Sequence, residues 1–425
     1  MAIHSEVLVV GGGLAGKTAA IAAARAGADV RILSKNSSTL RQASGLVDVL
    51  GYLPTVDRPR AISNPFDRIA DLPADHPYSI VGVDALRNGL ALFDDVTAND
   101  YRGDHTPRNA LIPTISGTVK PTGRYPSSMA PGLVSDDRSA LIVGFRSTTD
   151  FDARLLADRL ANVDVPFDVE GVDVSFGKGV RDDAIRTHIA RALDQNEPLH
   201  GSPARTALAD AISPHLGDAE RVGLPAVLGL DAHETVRSTL EDRLGVAVFE
   251  LPGGPPSIPG LRLESCLDGA VDSSGVRRET GNPVVGFEAT GEEIETVTVD
   301  RNGTRVSYGA ERFVLATGGL VGKGITANRE SVREPVFGCH IPHPSDRPHW
   351  YVDEVFGDQP YARFGVRTDD DLRPLDADGI SEFSNLHAAG AVLGGADVAR
   401  EKSAGGVSLA TGFAAGRAAA QGCPT

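Results

Sequence analysis

A glycine-rich run near the N-terminus is the clearest chemical motif in the sequence. Its six residues, GGGLAG at 11–16, fit G-x-G-x-x-G. The first glycine allows a tight turn, the third lets backbone approach a pyrophosphate, and the last lets a helix pack closely on a strand. The N–H groups at the start of that helix would then face the phosphates. The residues predicted to bind phosphate are Gly11, Gly13, Leu14, Ala15 and Gly16.

The same run allows a second interpretation. Extended to Lys17 and Thr18, it also fits G-x-x-x-x-G-K-T, the P-loop, in which the lysine holds phosphates and the threonine ligates magnesium. A P-loop NTPase also needs a later apolar strand that ends in a magnesium-binding Asp. The nearest match, Leu224–Leu230 before Asp231, is interrupted by a proline and a glycine. The dinucleotide interpretation is therefore favoured, and the P-loop is its alternative.

The residues after the second strand bear on the kind of ligand. Dinucleotide-binding folds usually carry an acidic residue there, which binds a ribose. This chain has Ser34 and Lys35 instead. Ser34 could donate to a ribose hydroxyl or a phosphate, whereas Lys35 is equally well explained as a solvated surface lysine. The missing acid weakens the assignment of an adenosine half to the ligand.

Three further side chains are candidates for catalysis. His76, in the run His-Pro-Tyr, has the residue type of a general base that works near neutral pH. Arg333 and Arg373 could bind an anion through two parallel hydrogen bonds. Each also has a structural explanation, because loop histidines often bond backbone and surface arginines often pair with Asp. The histidines of 340–349 are separated by prolines, so no metal site is predicted.

The elements around these residues indicate the fold. Val7–Val10, Leu14–Ala26 and Asp29–Leu33 predict a βαβ unit of the Rossmann type, whereas 54–135 is rich in loop-forming residues. The other predicted strands are Leu141–Gly144, Val163–Val169, Leu224–Leu228, Val246–Leu251, Val284–Glu288, Ile294–Asp300, Thr304–Tyr308, Arg312–Ala316 and Leu386–Ala389. The other predicted helices are Thr149–Leu160, Arg181–Leu193, Pro203–Pro214, Ala232–Arg243 and one after Gly405.

This alternation of strands and helices predicts an α/β fold. We expect a doubly wound parallel sheet built from both chain ends, 1–54 and 301–425. The middle of the chain, 55–300, would then be an inserted region that combines α/β and antiparallel structure.

Composition excludes several functional classes. The chain has 425 residues, 41% of them hydrophobic, which is enough for a sizeable core. Its net charge of −16 disfavours nucleic-acid binding, and its many Asp and few Lys suit a salt-rich cytoplasm. There is no basic leader before the first strand and no uninterrupted apolar run long enough to span a membrane. Three scattered cysteines cannot ligate an iron–sulfur cluster alone.

Three segments resemble the two-dinucleotide-binding flavoprotein superfamily. They are Asn36–Leu46, Phe313–Gly319 (FVLATGG) and Asn385–Gly395 (NLHAAGAVLGG). The resemblance implies a flavin beside these segments, with backbone N–H groups of the Gly390–Gly395 loop at its edge. Many members carry Asp or Glu where this chain has Ala391, and no residue equivalent to a covalent flavin link is evident. The flavin-binding residues implied are Ser44, Gly45, Thr317, Gly318, Gly390, Ala391, Gly394, Gly395, Gly405 and Gly406.

More narrowly, the chain resembles the family of B subunits of anaerobic glycerol-3-phosphate dehydrogenases. The resemblance runs in order along nearly the whole chain. It is carried by Ser44–Pro54, His76–Gly82, Leu141–Leu160, Pro255–Leu263, Asn328–Gly338, Phe364–Pro374 and Asn385–Leu409.

The family resemblance has functional implications. It implies oxidation of glycerol 3-phosphate together with a catalytic flavin protein, the A subunit, and electron transfer to quinone through an iron–sulfur protein, the C subunit. It also implies a cytoplasmic protein, associated with the membrane through a partner. FMN is the flavin described for the family, whereas the pyrophosphate loop favours FAD, so both stay open. The alternatives are a docking scaffold that has lost its flavin and a stand-alone flavin oxidoreductase of another small acid.

Overall fold

The structure, a computed structural model, describes residues 2–54, 60–176, 186–199 and 201–423. Backbone contacts divide the chain into two compact units. Unit 1 consists of Met1–Thr39, Asp48–Thr97 and Cys266–Thr425, and unit 2 of Leu40–Val47 and Ala98–Ser265. The predicted boundaries near 54 and 300 differ from these, because segments from inside 55–300 join unit 1. Which segments bind flavin stays a prediction.

The described residues contain nine α-helices and nineteen strands. The helices are α1 (Leu14–Arg25), α2 (Pro77–Thr97), α3 (Ala153–Asn162), α4 (Arg186–Gln195), α5 (Ala204–Ile212), α6 (His233–Leu244), α7 (Ile258–Ser273), α8 (Val398–Glu401) and α9 (Ala404–Gln421). The strands are β1 (Ile3–Val10), β2 (Val30–Ser34), β3 (Tyr101–Arg102), β4 (Ala110–Pro113), β5 (Val119–Thr122), β6 (Tyr125–Pro126), β7 (Ala140–Phe145), β8 (Val169–Val174), β9 (Pro198–Leu199), β10 (Ser202–Pro203), β11 (Arg221–Pro225), β12 (Ala247–Leu251), β13 (Arg277–Thr280), β14 (Val284–Thr290), β15 (Glu293–Arg301), β16 (Thr304–Leu315), β17 (Thr326–Ala327), β18 (Val332–Arg333) and β19 (Leu386–Ala388).

Unit 1 is built on a seven-stranded sheet. Five strands run parallel in the order β13-β2-β1-β16-β19, and β15 and β14 continue the sheet from β16 as an antiparallel meander. The apolar run at Val7–Val10 is buried on both faces, as expected for a central parallel strand. The predicted class, α/β with parallel strands from both chain ends, is confirmed.

Helices α1 and α9 pack against each other beside this sheet. Both are rich in Ala and Gly, which lets their backbones approach closely. A Cβ atom at Gly416 would lie 2.2 Å from the carbonyl oxygen of Ala19, and one at Gly412 would lie 2.5 Å from that of Ala15. The first and last helices of the chain therefore support the same glycine loop.

Unit 2 has a parallel sheet of its own, in the order β12-β11-β7-β8. Leu141, Val143, Val222, Leu224 and Val248 bury the sheet against apolar residues of the neighbouring helices α4, α5 and α6. A separate short hairpin pairs β4 with β5. Unit 2 therefore has α/β structure of its own, and the division of the chain into an inserted region and a flavin-binding domain stays a prediction.

Two helices lie where the sequence favours loops. The first, α2, falls within the loop-rich segment 54–135, and Gly82 interrupts it with a φ of +77°. The second, α7, begins inside the Pro- and Gly-rich run at 252–259. In each case the many Pro, Gly and Asp residues obscure a helical stripe. In α2 the buried stripe is Leu86, Leu90 and Phe93.

Other predictions were wrong at their boundaries. Val163 ends α3 rather than starting a strand, so β8 begins only at Val169. Helix α3 starts at Ala153 rather than at Thr149, and it is capped by Asp152, whose Oδ1 accepts the N–H of Leu155 at 2.9 Å. The predicted helix at Arg181–Leu193 begins partly outside the described residues; α4 is described from Arg186.

Strand β16 was predicted as two separate strands, Thr304–Tyr308 and Arg312–Ala316. It is continuous because its two halves have different partners. Thr304–Gly309 pairs antiparallel with β15, and Phe313–Leu315 pairs in parallel with β19. Tyr308–Leu315 also pairs in parallel with β1. One strand thus links the meander to the parallel part of the sheet.

Candidate functional site

The turn after β1 requires glycine at its first position. Gly11 has a φ of +126°, which disfavours a side chain. A Cβ atom there would lie 2.1 Å from the carbonyl oxygen of Ala316, at the end of β16. The N–H of Gly11 donates to Leu33 O at 2.8 Å. The loop is therefore fixed between the ends of three neighbouring parallel strands.

Gly13 and Gly16 have different surroundings. Gly13 is the N-cap of α1, and a Cβ atom at this position would meet nothing within 4 Å. A Cβ atom at Gly16 would lie 2.0 Å from the carbonyl oxygen of Gly11. The helix thus packs on the turn at Gly16, while the backbone at Gly13 borders open space. An open face at a helix N-terminus suits a phosphate group.

The contacts of Lys17 and Thr18 do not fit a P-loop. The Lys17 side chain is buried, and its Nζ lies 2.6 Å from Asp268 Oδ1 in unit 1. Thr18 Oγ1 donates to Leu14 O at 2.8 Å within α1. Neither side chain is directed toward a phosphate at the loop, so the structure favours the dinucleotide interpretation.

Ser34 and Lys35 have different environments. Ser34 Oγ lies 3.0 Å from Thr280 Oγ1 and is buried at the end of β2. Gly12 lies against it, because a Cβ atom there would be 3.1 Å from Ser34 Cβ. The Lys35 side chain is exposed. Ser34 therefore borders the glycine loop, and Lys35 has the exposure of a surface lysine. Their contacts with a ligand stay predictions.

A cavity of about 340 Å³ in unit 1 is lined by residues of two flavoprotein-like segments, Phe313–Gly319 and Asn385–Gly395. Its walls come from residues in 318–322, 361–364 and 390–399, with Thr39, Pro77 and Val407. Three predicted cofactor residues line it directly: Gly318, Gly390 and Ala391. The lining is mostly apolar with a few polar groups, as is usual for cofactor pockets.

The signature after β16 offers an unused polar atom. Thr317 Oγ1 is buried and has no hydrogen-bond partner among the described residues. Its neighbour Gly318 has a φ of +85° and lines the cavity. A buried hydroxyl that lacks a partner is costly, so a bound polar group would relieve that cost.

The segment Asn385–Gly395 offers fewer free backbone N–H groups to a ligand than the sequence predicts. The N–H of Gly390 donates to Thr411 Oγ1 at 2.9 Å. The N–H groups of Gly394 and Gly395 donate to Val366 O and Arg363 O, both at 3.1 Å. These glycines therefore hold the neighbouring segment in place. Any donation from this loop to a ligand rests instead on the region of Ala391.

The position of Gly390 links the cavity to the glycine loop. It has a φ of +77°, and a Cβ atom there would lie 2.6 Å from Ala15 Cβ, in the first turn of α1. The open backbone at Gly13, the free hydroxyl of Thr317 and the cavity thus occur in one unit. These features fit a flavin nucleotide, whose phosphates and ring need a polar cradle and an apolar slot, respectively.

Three of the four other predicted cofactor residues have structural contacts. Ser44 and Gly45 belong to unit 2, where Ser44 Oγ accepts the N–H of Leu46 and Gly45 O accepts from Tyr101 Oη. Gly406 is buried in α9, and its N–H donates to Asp48 O at 2.7 Å. Gly405 is partly exposed one residue earlier. Their flavin contacts remain predictions.

His76, a candidate base, is fully buried beside the cavity rather than on its wall. Its Nε2 lies 3.1 Å from Glu401 Oε2, and its Nδ1 accepts the N–H of Tyr78 at 3.0 Å. Only the next residue, Pro77, lines the cavity. Burial, with Glu401 and Asp48 nearby, raises the pKa of Tyr78 well above its usual value. These groups form a buried polar network.

The two candidate arginines are held by local partners. Arg333 is exposed on β18, where its Nε donates to Ser331 Oγ at 3.0 Å. Arg373 Nε lies 2.8 Å from Asp369 Oδ2, and its Nη2 lies 3.2 Å from Asp371 Oδ2. Neither arginine lines the cavity. The structure thus places the three catalytic candidates apart from the cavity walls.

Several lining residues carried no sequence signal that singled them out. Tyr361 and Phe364 bound one side of the cavity, and Asp397 and Val398 bound another. Phe364 lies in the segment Phe364–Pro374, which resembles the B-subunit family, but nothing in its residue type indicated a ligand. Their positions depend on contacts between distant parts of the chain.

Two absences among the described residues bear on metal binding and on membrane insertion. No group of three His, Cys, Asp or Glu side chains is arranged to hold a metal ion. Every described helix is too short or too polar to cross a bilayer.

Comparison with known proteins gives the family. A model of the FAD binding domain matches residues 6–407. The B subunit of the probable anaerobic glycerol-3-phosphate dehydrogenase of Halobacterium salinarum is 55% identical over 425 residues, covering 99% of each chain. The corresponding B subunit of Yersinia pseudotuberculosis is 31% identical, covering 95% of each. Among solved structures, the open conformation of a flavocytochrome c3 fumarate reductase has a TM-score of 0.45 at 12% identity, covering 99% of this chain and 78% of that one.

These matches agree with the site. The cofactor is a flavin, and the family model supports FAD as its form. The chain therefore belongs to the FAD binding domain family and, within it, to the family of B subunits of anaerobic glycerol-3-phosphate dehydrogenases.

Proposed function

We propose that this chain is the flavin-carrying B subunit of a quinone-linked glycerol-3-phosphate dehydrogenase. The observation that carries the proposal is the meeting of both flavin signatures at one cavity, in a chain related over its full length to such B subunits. In the overall reaction, sn-glycerol 3-phosphate loses two electrons and two protons to become dihydroxyacetone phosphate. A quinone takes up two electrons and two protons and becomes quinol.

The residues of unit 1 would hold the flavin in two ways. The amides at Gly13, Leu14 and Ala15 would bind its phosphate groups, helped by the positive end of the α1 dipole. Gly318, Gly390 and Ala391 would border the ring, because all three line the cavity. When bound, a flavin supplies the conversion of a two-electron oxidation into one-electron transfers.

The chain's own residues shape this site rather than react in it. Thr317 Oγ1, a buried hydroxyl that no described residue uses, would hydrogen-bond a polar group of the cofactor beside Gly318. The apolar walls at Tyr361, Phe364 and Leu393 would exclude water from the ring. Gly394 and Gly395 would keep the segment at Arg363–Val366 in place. These roles are positional, so they do not require a catalytic acid on the cavity wall.

The partners follow from the same proposal. The three cysteines form no disulfide with one another, and they do not form a cluster site with other described residues. A separate iron–sulfur protein, the C subunit, would accept electrons and pass them to the quinone. A catalytic flavin protein, the A subunit, would oxidise the substrate with this chain's help. The present chain would then be cytoplasmic and reach the membrane only through its partner.

The catalytic assignments of His76, Arg333 and Arg373 remain predictions. The two arginines already have hydrogen-bonding partners, and each would need to exchange them in order to bind a phosphate. His76 would need an opening of its buried network before it could accept a proton from substrate. We therefore assign substrate binding to the complex with the catalytic flavin partner rather than to these residues alone.

The decisive experiment has two readouts. First, cofactor is released from the purified chain by denaturation and its mass is measured. FAD is the expected product; FMN would correct the cofactor form, and no flavin would support the scaffold alternative. Second, reduction of a soluble quinone by glycerol 3-phosphate is measured with the three co-expressed proteins and with this chain alone. Activity with the complex supports the proposal, and activity of the single chain on another small acid would favour the stand-alone alternative.

A further inference from the structure

One charged side chain lies on the wall of the flavin cavity. Among the described residues that line it, only Asp397 carries a full charge, and the others are apolar or neutral. The cavity volume of about 340 Å³ is near the lower end of the usual range for ligand pockets, which is about 300–1,000 Å³. A ring bound in so small a space stays close to every wall. Asp397 would therefore act on the cofactor at short range.

The position of Asp397 is fixed by backbone contacts. It is the N-cap of α8, where its Oδ1 accepts the N–H of Arg400 at 3.0 Å. Its own N–H donates to Glu401 Oε1 at 2.9 Å. The other carboxylate oxygen, Oδ2, has no hydrogen bond to any described residue, although Asp397 is only 7% exposed. The carboxylate is thus held at the cavity wall while one of its oxygens is left for a ligand.

A second acid lies directly behind the first. Glu401 is completely buried. His76 Nε2 lies 3.1 Å from its Oε2, and Ser403 Oγ donates to the same oxygen at 2.9 Å. These partners are a histidine ring and a hydroxyl, so neither is a permanent cation. The acidic character of this side of the cavity is therefore not limited to Asp397.

The neighbouring basic side chains do not neutralise Asp397. Arg400 meets Asp397 through its backbone N–H, whereas its guanidinium lies against Asp358, with Nη1 3.4 Å from Oδ1. Lys402 is partly exposed and donates from Nζ to Ala399 O at 2.6 Å, where solvent screens its charge. Within the described parts of the chain, no ion pair offsets the charge of Asp397.

We propose that Asp397 lowers the reduction potential of the bound flavin, so that this chain passes electrons on rather than retains them. The inference rests on the proposed placement of the flavin in this cavity. When a flavin takes up two electrons and one proton, its ring gains one negative charge. Asp397 disfavours that charge at short range, because the apolar walls around it weaken the screening by water. The ring of the oxidised cofactor is neutral and does not meet this repulsion.

Reductive titration of the purified flavin-loaded chain, with dithionite as the reductant and a dye of known potential, tests this proposal. Asp397→Asn should shift the reduction equilibrium at least about tenfold toward reduced flavin, a rise of about 30 mV for a two-electron couple. Asp397→Ser should give a similar rise, because both replacements are uncharged and both are good N-cap residues that preserve α8. Asp353→Asn is the matched control, because it removes an exposed carboxylate of the same unit that does not line the cavity, and it should leave the potential unchanged.

The proposal is overturned if the potential of Asp397→Asn equals the parent's or is lower. An equal rise in Asp353→Asn would overturn it as well, since the effect would then belong to net charge. Loss of flavin from both neutral variants would show that Asp397 retains the cofactor instead of setting its potential, which also contradicts the proposal. The titration needs no partner protein, so its result is independent of glycerol 3-phosphate oxidation by the complex.

A further variant separates this inference from the placement of the flavin. Ala391 is exposed and lines the cavity, so the bulky side chain of Ala391→Trp should displace the ring. If Ala391→Trp binds flavin with the parent's affinity, the proposed placement fails and the inference fails with it. If Ala391→Trp loses flavin while Asp397→Asn keeps the parent's potential, the placement stands and the inference alone fails.

Discussion

His76 Nε2 and Glu401 Oε2 lie 3.1 Å apart, and both side chains are completely buried. Because His76 Nδ1 accepts the N–H of Tyr78, the ring proton sits on Nε2 and is donated to Glu401. The other carboxylate oxygen, Oε1, accepts the N–H of Asp397 at 2.9 Å, and Asp397 lines the cavity. His76 is thus connected to the cavity wall through Glu401.

We expect His76→Ala to destabilise the chain rather than remove a catalytic base. Glu401 would lose a donor while staying buried, which costs about 1–3 kcal/mol. Urea unfolding of the flavin-loaded chain measures this loss. His349→Ala is the control, because His349 is 73% exposed and should leave stability unchanged. An unfolding curve like the parent's, with activity of the complex reduced 100-fold or more (about the loss of a general base), would instead support a base.

Gly13→Val should produce a folded chain without flavin. A side chain at Gly13 meets no protein atom within 4 Å, so folding is unaffected, but it would occupy the space where a phosphate approaches. Absorbance of the purified variant in the flavin band measures retention. Gly286→Val, at a similarly open glycine of β14, should keep its flavin. Normal flavin content in the Gly13 variant would contradict the assignment of the glycine loop.

Lys17→Met separates the structural role of this lysine from a P-loop role. The lysine is buried against Asp268, which also has Arg278 as a partner at 2.8 Å. Loss of the pair should therefore cost about 0.5–3 kcal/mol in unfolding free energy, with flavin content unchanged. Lys323→Met, an exposed lysine of unit 1, serves as the control. Nucleotide hydrolysis by the parent that disappears in Lys17→Met would restore the P-loop interpretation.

A buried ion pair in unit 2 should make stability depend on pH. Glu250 is fully buried, and burial alone would raise the pKa of its carboxyl. The Arg262 guanidinium, with Nη1 2.6 Å from Glu250 Oε2, together with Ser128 Oγ and the N–H of Leu228, outweighs burial and lowers this pKa overall. The folded-state pKa therefore lies below the unfolded value of about 4.3.

A carboxyl whose pKa is lowered by folding stabilises the folded state at pH values above its unfolded-state pKa. This stabilisation is lost as the pH falls toward the folded-state pKa. We therefore expect the unfolding free energy contributed by Glu250 to be constant near neutral pH and to decrease below about pH 5. Glu250→Gln should lower the unfolding free energy at pH 7 by about 3–5 kcal/mol, because Arg262 stays buried without its anion. The variant's unfolding free energy should also decrease less than the parent's below about pH 5. Glu293→Gln, at an exposed position, should change neither. A variant as acid-sensitive as the parent would contradict this assignment.

The fold could be predicted best where local signals agree. The βαβ unit at the N-terminus was predicted nearly in full because a buried apolar strand, a glycine turn and an alanine-rich helix follow one another. Helix α2 was missed because Gly82 and several Asp residues mask its buried stripe. The two halves of β16 were separated because Gly309–Glu311 breaks the apolar pattern, although pairing with β1 keeps the strand continuous.

The site could be predicted only in part. The signatures at Thr317–Gly319 and Gly390–Gly395 indicated the cavity because each is a local pattern of small residues that follows a strand. The partners of Lys17 and His76 could not be predicted, because Asp268 and Glu401 are distant in sequence and no spacing rule connects them. Tyr361 and Phe364 likewise reach the cavity only through tertiary packing.

The pairing of β1 with β16 and the packing of α1 on α9 have a consequence for biosynthesis. The ribosome completes β1 and α1 almost four hundred residues (about nine-tenths of the 425-residue chain) before α9 emerges. The cradle made by Ala15 and Gly390 therefore cannot exist on an unfinished nascent chain. A cofactor that uses this cradle would be loaded after translation, and a chain truncated before α9 would leave α1 without the helix that packs on it.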